Sequence, residues 1–353
     1  WWSVNNFLEY SGTCYVVRCD DQMGDAIDAG LVTGVHDQKM RNATDEFEFF
    51  PGTQVPINSN DYTQTQNTQS KVYIKNEDEY EENYFNGEGT FGDFAARYAG
   101  TLGNSLRISI CPSANAYSNT LTGTYSVTAG STTVTGSGTS ANTQMQVGDI
   151  LVLGGRATKV TAITNATSLT LESAHLTGAS AATGVRRWEF FGEFDSAPGT
   201  STAASAAGST GDELHVIGQD RTGDITGSPN TVLEKFAYLS KGSNAKADAG
   251  GSNFYKTVIN DRSNYIWWTA HDAAGVNWGN TLSSTTYTSV VIPKAYSLAG
   301  GSDGNGLTDG DRSTSYVLLS NKQEVPTSII VAGQSTATVI NRIIADVAEV
   351  RKD

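Results

Sequence analysis

The clearest pattern of hydrophobic and polar positions lies near the end of the chain, in residues 328–353. It begins with an unbroken apolar run at residues 329–332, which predicts a strand buried on both faces of a parallel sheet. After a glycine, apolar side chains recur at the spacing of an amphipathic helix, at Val339, Ile340, Ile343, Ile344 and Val347. Ser335 or Thr336 is suited to cap that helix. Because a strand followed by a helix needs another parallel strand to pack toward, we expect the natural chain to continue.

Shorter patterns predict further elements along the chain. Compact or alternating apolar runs predict strands at residues 13–18, 71–75, 106–110, 213–219 and 265–269. Helical spacing predicts helices at residues 1–10, 94–98 and 252–263, whereas residues 231–240 fit either a strand or a short helix. Residues 20–69 predict a long surface excursion with weak strands, and residues 196–211 predict a linker or mobile loop.

The amino-acid composition changes at residues 124–173, which are rich in Thr, Ser, Val and Gly. Five strand-length runs follow one another there, and the pair Gly154 and Gly155 between the third and fourth runs indicates a tight hairpin. Five short strands in so few residues can close into a barrel, which removes exposed strand edges. We therefore predict a small β-barrel inserted into a larger sheet-and-helix domain.

Composition and charge exclude several kinds of partner. The chain has 353 residues, 17% charged residues and a net charge of -14, so we expect no direct contact with nucleic acid and no anionic membrane partner. No apolar run is long enough to span a bilayer, and we predict no membrane insertion. Of the three cysteines, Cys14 and Cys19 point to opposite faces of one predicted strand, which favours free thiols.

Two groups of acidic residues could bind cations, but a structural interpretation fits each of them better. The acidic run at residues 76–84 has no metal-binding spacing and indicates a solvated loop or helix face. A second group, Asp303, Asn305, Asp309 and Asp311, has residue types that suit calcium but lacks the spacing of an EF-hand. We therefore predict no metal and no cofactor.

Residues 333–337 form a G-x-S-x-A sequence that imitates the serine elbow of α/β-hydrolases. That fold needs its histidine after the serine, whereas all four histidines here, the last of them His271, precede Ser335. The sequence therefore favours Ser335 as a structural residue, and we predict that the protein is not an enzyme. A serine hydrolase remains an alternative hypothesis.

Several blocks of the chain together resemble the contractile tail sheath proteins of myovirus-type phages. Residues 5–19, NNFLEYSGTCYVVRC, are similar to the early helix and strand of that family, and residues 96–110, ARYAGTLGNSLRISI, are similar to its Y-P-G-x-W-G-N-x-L motif. Residues 212–242 and 250–268 resemble the middle of the sheath core, and residues 325–353 resemble its closing strand and helix. Ala99 and Leu102 replace the usual Pro and Trp of the motif. The blocks cover roughly half of the chain in the family's order.

The resemblance implies a structural polymer located in the virion and assembled in the host cytoplasm. In that family, six subunits form a ring around a tail tube, and the stacked rings contract to drive the tube through the host envelope. The implied partners are other copies of the chain, the tail tube protein, and the baseplate and tail terminator proteins. Extended terminal arms join the sheets of neighbouring subunits, so subunit contacts are expected beside the chain ends, at Trp1, Trp2, Arg351, Lys352 and Asp353.

The fold class implied is a mixed α/β, multi-domain protein with a sheath core and an inserted small barrel. The core would comprise residues 1–35, 92–123 and 187–353, interrupted by a polar and acidic excursion at 36–91 and by the barrel at 124–186. A virion or surface adhesin is the alternative, because the six tryptophans could line a glycan-binding platform.

Overall fold

The structure, a computed structural model, describes residues 39–41, 47–48, 55–56, 77–87, 93–97, 101–298, 301–302, 308–323, 325–326 and 328–352. In these residues the chain mixes helices with mostly antiparallel sheets. The elements predicted at residues 1–10, 13–18 and 71–75 lie outside the described residues. None of the described helices is both long and apolar enough to cross a membrane.

The central sheet has five strands in the order β15-β14-β5-β17-β3. They are β3 Val55–Pro56, β5 Leu106–Cys111, β14 Glu213–Asp220, β15 Thr231–Ser240 and β17 Lys294–Ser297. The paired strands of this sheet are all antiparallel. Residues 231–240, which the pattern left undecided, are therefore a strand. The short strand β3 also joins this sheet, so the predicted surface excursion contributes to it.

Strand β5 is paired on both sides, and all six of its residues are buried. The alternation at residues 106–110 predicted a half-buried strand, which is wrong because the polar positions also face packed structure. Arg107 is neutralised by Glu189 at 2.7 Å, and the Trp188 indole donates to Ser109 Oγ at 2.9 Å. Polar side chains in β5 are thus buried with partners, as buried polar groups must be.

A smaller two-stranded sheet lies beside the central one. It pairs β4 Phe94–Ala96 with β16 Ile266–Trp268, so the helix predicted at residues 94–98 is a strand instead. Pairing with β16 overrides the local helical spacing, because a few residues of apolar pattern cannot distinguish the two structures. Helix α1 Glu77–Asn83 packs Tyr80 against Trp267, with ring centroids 5.1 Å apart, and exposes its described glutamates. The solvated helix face predicted for residues 76–84 is confirmed.

A third, three-stranded sheet has the order β18-β1-β2 and is antiparallel. Its strands are β1 Lys39–Arg41, β2 Phe47–Glu48 and β18 Gly301–Ser302.

The predicted barrel region forms an eight-stranded antiparallel sheet in the order β12-β7-β8-β11-β10-β9-β13-β6. Its strands are β6 Ser118–Thr120, β7 Thr124–Val127, β8 Ser131–Ser137, β9 Ile150–Leu153, β10 Arg156–Asn165, β11 Ser168–His175, β12 Ala179–Ala182 and β13 Val185–Arg187. The five predicted strands are all present, and both glycines of the predicted hairpin have positive φ. Short helix α3 Ala141–Gln144 lies in the same region.

The eight-stranded sheet curls on itself. Strands β12 and β13 are separated by only two residues of chain, yet they lie six places apart in the strand order. Gly184 lies in that connection, where an added Cβ would approach Tyr125, Leu121 and Leu151 to between 3.0 and 3.2 Å. The interior is a separate apolar cluster that includes Val134, which is fully buried. The pairing of β6 with β13 extends the unit at both ends beyond the predicted limits of 124–186.

The main core lies around the central sheet. Helix α5 Tyr255–Arg262 covers it with Phe254, Val258 and Ile259 facing inward, as predicted. Within residues 196–211 the predicted linker contains helix α4 Thr202–Ala206, which buries Ala204 in the same core. The composition of that segment resembles a linker, but small side chains also suit a short helix packed closely on a sheet.

An aromatic cluster joins the curled sheet to the central sheet. Short helix α2 Ala114–Tyr117 and the turn at Phe191–Glu193 supply its rings, together with Trp188, Phe190 and Phe194, around Ile217 of β14. Glu189 adds a charged contact, since its carboxylate accepts from Arg107 of β5 and Lys159 of β10, both at 2.7 Å. The chain thus leaves the curled sheet by an apolar junction with one paired carboxylate at its edge.

Candidate subunit-contact surface

The last part of the described chain forms a helical layer, which we define as residues 308–323 and 328–352. Helix α6 Asp309–Val317 opens it and continues into a 3-10 turn, Leu318–Ser320. Helix α7 Ala337–Ile343 follows, then a π-helical turn at Ile344–Ala348 and the final turn α8 Glu349–Arg351. Helix α6 is an element that the hydrophobic pattern missed. A Thr-x-x-Asp capping box at Thr308 and Asp311 marks its start and was the available signal.

Polar contacts of two side chains, Thr336 and then Arg351, hold this layer together. The Thr336 hydroxyl accepts from the Val339 amide as the N-cap of α7 and donates to Asp309 Oδ2 at 2.7 Å, at the start of α6. The Arg351 guanidinium donates to the carbonyl oxygens of Leu319 at 2.7 Å and Val325 at 2.9 Å. The first contact fixes the beginning of α7 and the second fixes the end of α8, so both ends of the second helical run are tied to the first.

Only one side of this second run is buried. Val339, Ile343 and Val347 face inward, as the spacing predicts, but Ile340 and Ile344 remain 42% and 47% exposed. The prediction that residues 329–332 form a buried parallel strand is wrong for the single chain. They take part in no sheet among the described residues, and Ile329 and Val331 are 66% and 59% exposed.

A groove of about 320 Å³ lies between this extended segment and the helices. Its apolar lining comes from Ile330 and Ala332 on one side and from Ile340, Ile343 and Ile344 on the other, with Arg351 at one end. Exposed apolar side chains are concentrated in the same layer. Of the eleven large hydrophobic residues exposed in the described chain, seven lie in the helical layer: Val317, Leu318, Ile329, Val331, Ile340, Ile344 and Val350. Clustering of this kind marks a surface that another molecule covers.

The predicted subunit-contact residues have different positions. Arg351 is buried, and its guanidinium binds carbonyl groups of its own chain, so this side chain stabilises the layer from within. Lys352 is exposed and has a left-handed backbone, with φ of 53°. Trp1, Trp2 and Asp353 lie outside the described residues, and the predicted contacts at the chain ends remain predictions.

The serine elbow has no base beside it in the described part of the chain. The Ser335 hydroxyl donates to the Ala332 carbonyl, and Thr336 is the cap of the helix. The described histidines bond elsewhere: His175 with Leu153 O, His215 with Ser196 O, and His271 with the Tyr255 hydroxyl. Burial also lowers the pKa of His215 and lowers that of His271 to about 4, so both remain neutral packed side chains at pH 7.

The four described tryptophans do not form a glycan platform. Trp188, Trp267, Trp268 and Trp278 are all at least nine-tenths buried. Trp268 lies in the main core, and Trp267 is covered by Tyr80 on one face and by Arg97 over the ring at 5.2 Å. Both rings of the Trp267 and Trp268 pair therefore pack inside the chain.

No group of three or more metal-ligating side chains occurs among the described residues. Asp309 and Asp311, two of the residues considered for calcium, belong to the first turn of α6, where the helix dipole stabilises carboxylates. Asp303 and Asn305 lie outside the described residues. Cys111 is a free, buried thiol, and burial raises its pKa to about 12, which makes it unreactive.

A larger cleft of about 510 Å³ lies elsewhere, between α1 and the end of α5. Its lining mixes both signs of charge, for example Glu81 with Arg262. The Arg97 guanidinium at its floor donates to the carbonyl oxygens of Asn260 and Ile266, so it is committed within the chain. This cleft therefore gives no defined ligand chemistry, whereas aliphatic side chains supply most of the lining of the groove in the helical layer.

Lys241 is a further buried charged side chain whose partners are all internal. Its ammonium donates to three carbonyl oxygens, of Pro112 and Gly211 at 2.7 Å and of Glu213 at 2.9 Å. Burial lowers the pKa of Lys241 to about 7, while the nearby acidic residue Asp212 opposes the shift. The three bonds use every N–H of the ammonium group, so Lys241 links three chain segments and is not free to react.

Comparison with known proteins adds no relative. No protein-family model matches the chain, and a search of curated proteins returns no match. The class that the fold itself defines is therefore a mixed α and β protein with mostly antiparallel sheets and an exposed apolar surface on its C-terminal helical layer.

Proposed function

We propose that the chain is a structural subunit of a phage contractile tail sheath. It polymerises with copies of itself around a tail tube, between a baseplate and a tail terminator, and its location is the virion. The observation that carries the proposal is the exposed apolar surface of the helical layer, which a single subunit leaves uncovered. The ordered sequence blocks that resemble sheath proteins support it independently.

The physics of this surface favours a repeated protein contact. Covering the exposed half of a Val, Leu or Ile side chain contributes about 1 kcal/mol, and seven such side chains are exposed on the layer. Residues 329–332 take part in no sheet among the described residues and lie next to the groove, where a strand from another copy can add to them. A polymer whose every subunit carries both halves of such a contact extends until it meets a terminating protein.

Substitution of Ile344 by glutamate tests the role of this surface. Ile344→Glu changes a half-exposed helical side chain, so we expect the free energy of unfolding to change by less than about 0.5 kcal/mol. Loss of about 1 kcal/mol per contact corresponds to a critical concentration for assembly raised about fivefold. Electron microscopy of the full-length protein should show striated tubes or sleeves for the parent and few or none for the variant.

The matched control is Leu176→Glu, a residue that is 65% exposed in the connection between β11 and β12, outside the helical layer. We expect this variant to assemble as the parent does. Equal loss of assembly in both variants would show that added negative charge alone is responsible. Assembly of Ile344→Glu at the parental concentration would contradict the proposed contact, and a parent that forms only monomers under all conditions would contradict the sheath proposal itself.

A further inference from the structure

The hydroxyl group of Tyr296 lies between two carboxyl groups, in the main core around the central sheet. Its oxygen is 2.8 Å from Asp93 Oδ2 and 2.9 Å from Asp272 Oδ2, both within hydrogen-bond distance. A phenol carries a single proton and can donate only one of these two bonds. The second short contact between oxygens is favourable only if one of the carboxyl groups supplies a proton of its own. The geometry therefore requires one proton more than two ionised carboxylates and one neutral phenol carry.

The neighbours of Asp272 stabilise a negative charge on its carboxyl group. Asp272 lies 3.5 Å from the Lys294 ammonium and accepts a backbone hydrogen bond from Ala274 at 2.7 Å through its other oxygen. A cation and an amide donor both favour the ionised form.

We propose that Asp93 holds an acid proton at neutral pH and donates it to the Tyr296 oxygen, which in turn donates to the ionised Asp272. The three side chains form a directed chain of two hydrogen bonds with one shared negative charge, on Asp272, balanced by Lys294. Loss of the Asp93 proton at higher pH places two like charges around one hydroxyl and weakens the chain. The inference does not depend on the proposed function.

The electrostatics of the site agree with this arrangement. Burial is the largest influence on Asp93 and, with the nearby Asp272 charge, raises its pKa to about 7, although the Tyr296 hydrogen bond and Lys294 oppose the change. Burial and the two carboxyl groups raise the pKa of Tyr296, so the phenol keeps its own proton. Tyr255 of α5 also faces the pair; burial raises its pKa, and it bonds the neutral His271, so it remains neutral as well.

The position of the chain of hydrogen bonds gives it a structural consequence. Asp93 immediately precedes β4, Asp272 follows β16, and Tyr296 belongs to β17 of the central sheet. The bonds therefore connect the two-stranded sheet to the five-stranded sheet. A proton held at Asp93 strengthens this connection, and its release loosens it.

The sign of the effect on stability follows from the raised pKa. An unfolded Asp has a pKa of about 3.9, so between pH 3.9 and about 7 the folded protein binds the extra proton and the unfolded chain does not. The contribution of Asp93 to stability is complete below the unfolded pKa and is lost as the pH rises through about 7. Within that window the contribution of this one proton to the unfolding equilibrium constant approaches tenfold per pH unit.

Infrared spectroscopy of the whole protein detects the proton directly, through the C=O band of a protonated carboxyl group. We expect this band at pH 6 in the parent and its loss by pH 9. Burial also raises the pKa of Asp149 to about 7, so a second carboxyl group contributes to the band, and Asp149→Asn identifies its share. Asp93→Asn should remove the remaining part. Its amide can still donate to Tyr296, so this variant is expected to fold.

Two further variants move the titration in opposite directions. Asp272→Asn removes the like charge and should shift the loss of the Asp93 band to lower pH. Lys294→Met removes the cation and should shift it to higher pH. Asp93→Asn should also reduce the pH dependence of urea unfolding between pH 5 and pH 8 relative to the parent. A band at pH 6 that is unchanged in Asp93→Asn would overturn the proposal, as would its loss in Asp272→Asn at every pH.

Discussion

At the scale of single residues, Asp220 shows how a buried charged side chain can stabilise a turn. It lies at the end of β14 and is fully buried, and its carboxylate accepts from the Gly223 amide at 2.9 Å and from the Thr226 amide and hydroxyl, both at 2.8 Å. Burial alone would raise the pKa of Asp220, but hydrogen bonds from Ser105, Thr226 and Gly223 outweigh it and lower the pKa to about 2. The ionised form therefore organises the turn after β14.

Replacement of Asp220 by asparagine should destabilise the protein. The amide cannot accept all of these bonds and leaves buried donors without partners, which costs on the order of 3 kcal/mol at pH 7. Because the folded pKa is depressed, the contribution of Asp220 is present above the unfolded pKa of about 3.9 and is lost as the pH falls toward about 2. Urea unfolding at pH 7 and at pH 3 measures both effects.

Asp224→Asn is the matched control for this change. Asp224 is exposed in the same turn and accepts from the Thr222 hydroxyl at 2.8 Å. We expect its substitution to change the free energy of unfolding by less than about 0.5 kcal/mol. A similar loss in the two variants would indicate that general acidity of the turn, rather than the buried carboxylate, is what matters.

At the scale of elements, the start of α7 depends on one hydroxyl. Sequence spacing allowed either Ser335 or Thr336 as the cap, and the structure assigns the cap to Thr336, which also bonds Asp309 of α6. Thr336→Ala should cost about 1 kcal/mol, the usual value of an N-cap, and Ser335→Ala should cost less. Urea unfolding of both variants measures the difference. A larger loss for Ser335→Ala would contradict this assignment of the cap.

Helices and strands were predictable from sequence where the local sequence is sufficient to specify them. The strands at residues 124–173 follow from alternation and from glycines that turn the chain, and the structure confirms all five. Helix α5 follows from its apolar spacing. Strand β4 did not, because its three residues become a strand only by pairing with β16, far along the chain. Helix α6 is set by its capping box and lacks a long apolar stripe.

At the scale of the whole molecule, charge opposes self-association. With a net charge of -14, each copy repels the next, whereas the apolar surface of the helical layer attracts it. Assembly of the full-length protein, followed by light scattering, should therefore increase as salt rises from about 0.01 M to about 0.15 M, because the Debye length falls from about 30 Å to about 8 Å. Sucrose at the same osmolality is the control and should not reproduce the increase. Assembly that does not change with salt would argue against this role of the charge.

The sequence alone determined the elements whose periodicity is local, the acidic character of the chain and the inserted curled sheet. It also predicted the buried stripe of Val339, Ile343 and Val347 on the last helix. Tertiary structure alone decided that the sheets are mostly antiparallel, that Arg107 and Asp220 are buried with partners, and that residues 329–332 belong to no sheet of the described residues. The physical reason is that an apolar run determines how much apolar surface must be buried but not which segment buries it. The partner segment lies elsewhere in the chain or, as we propose for the helical layer, in another copy.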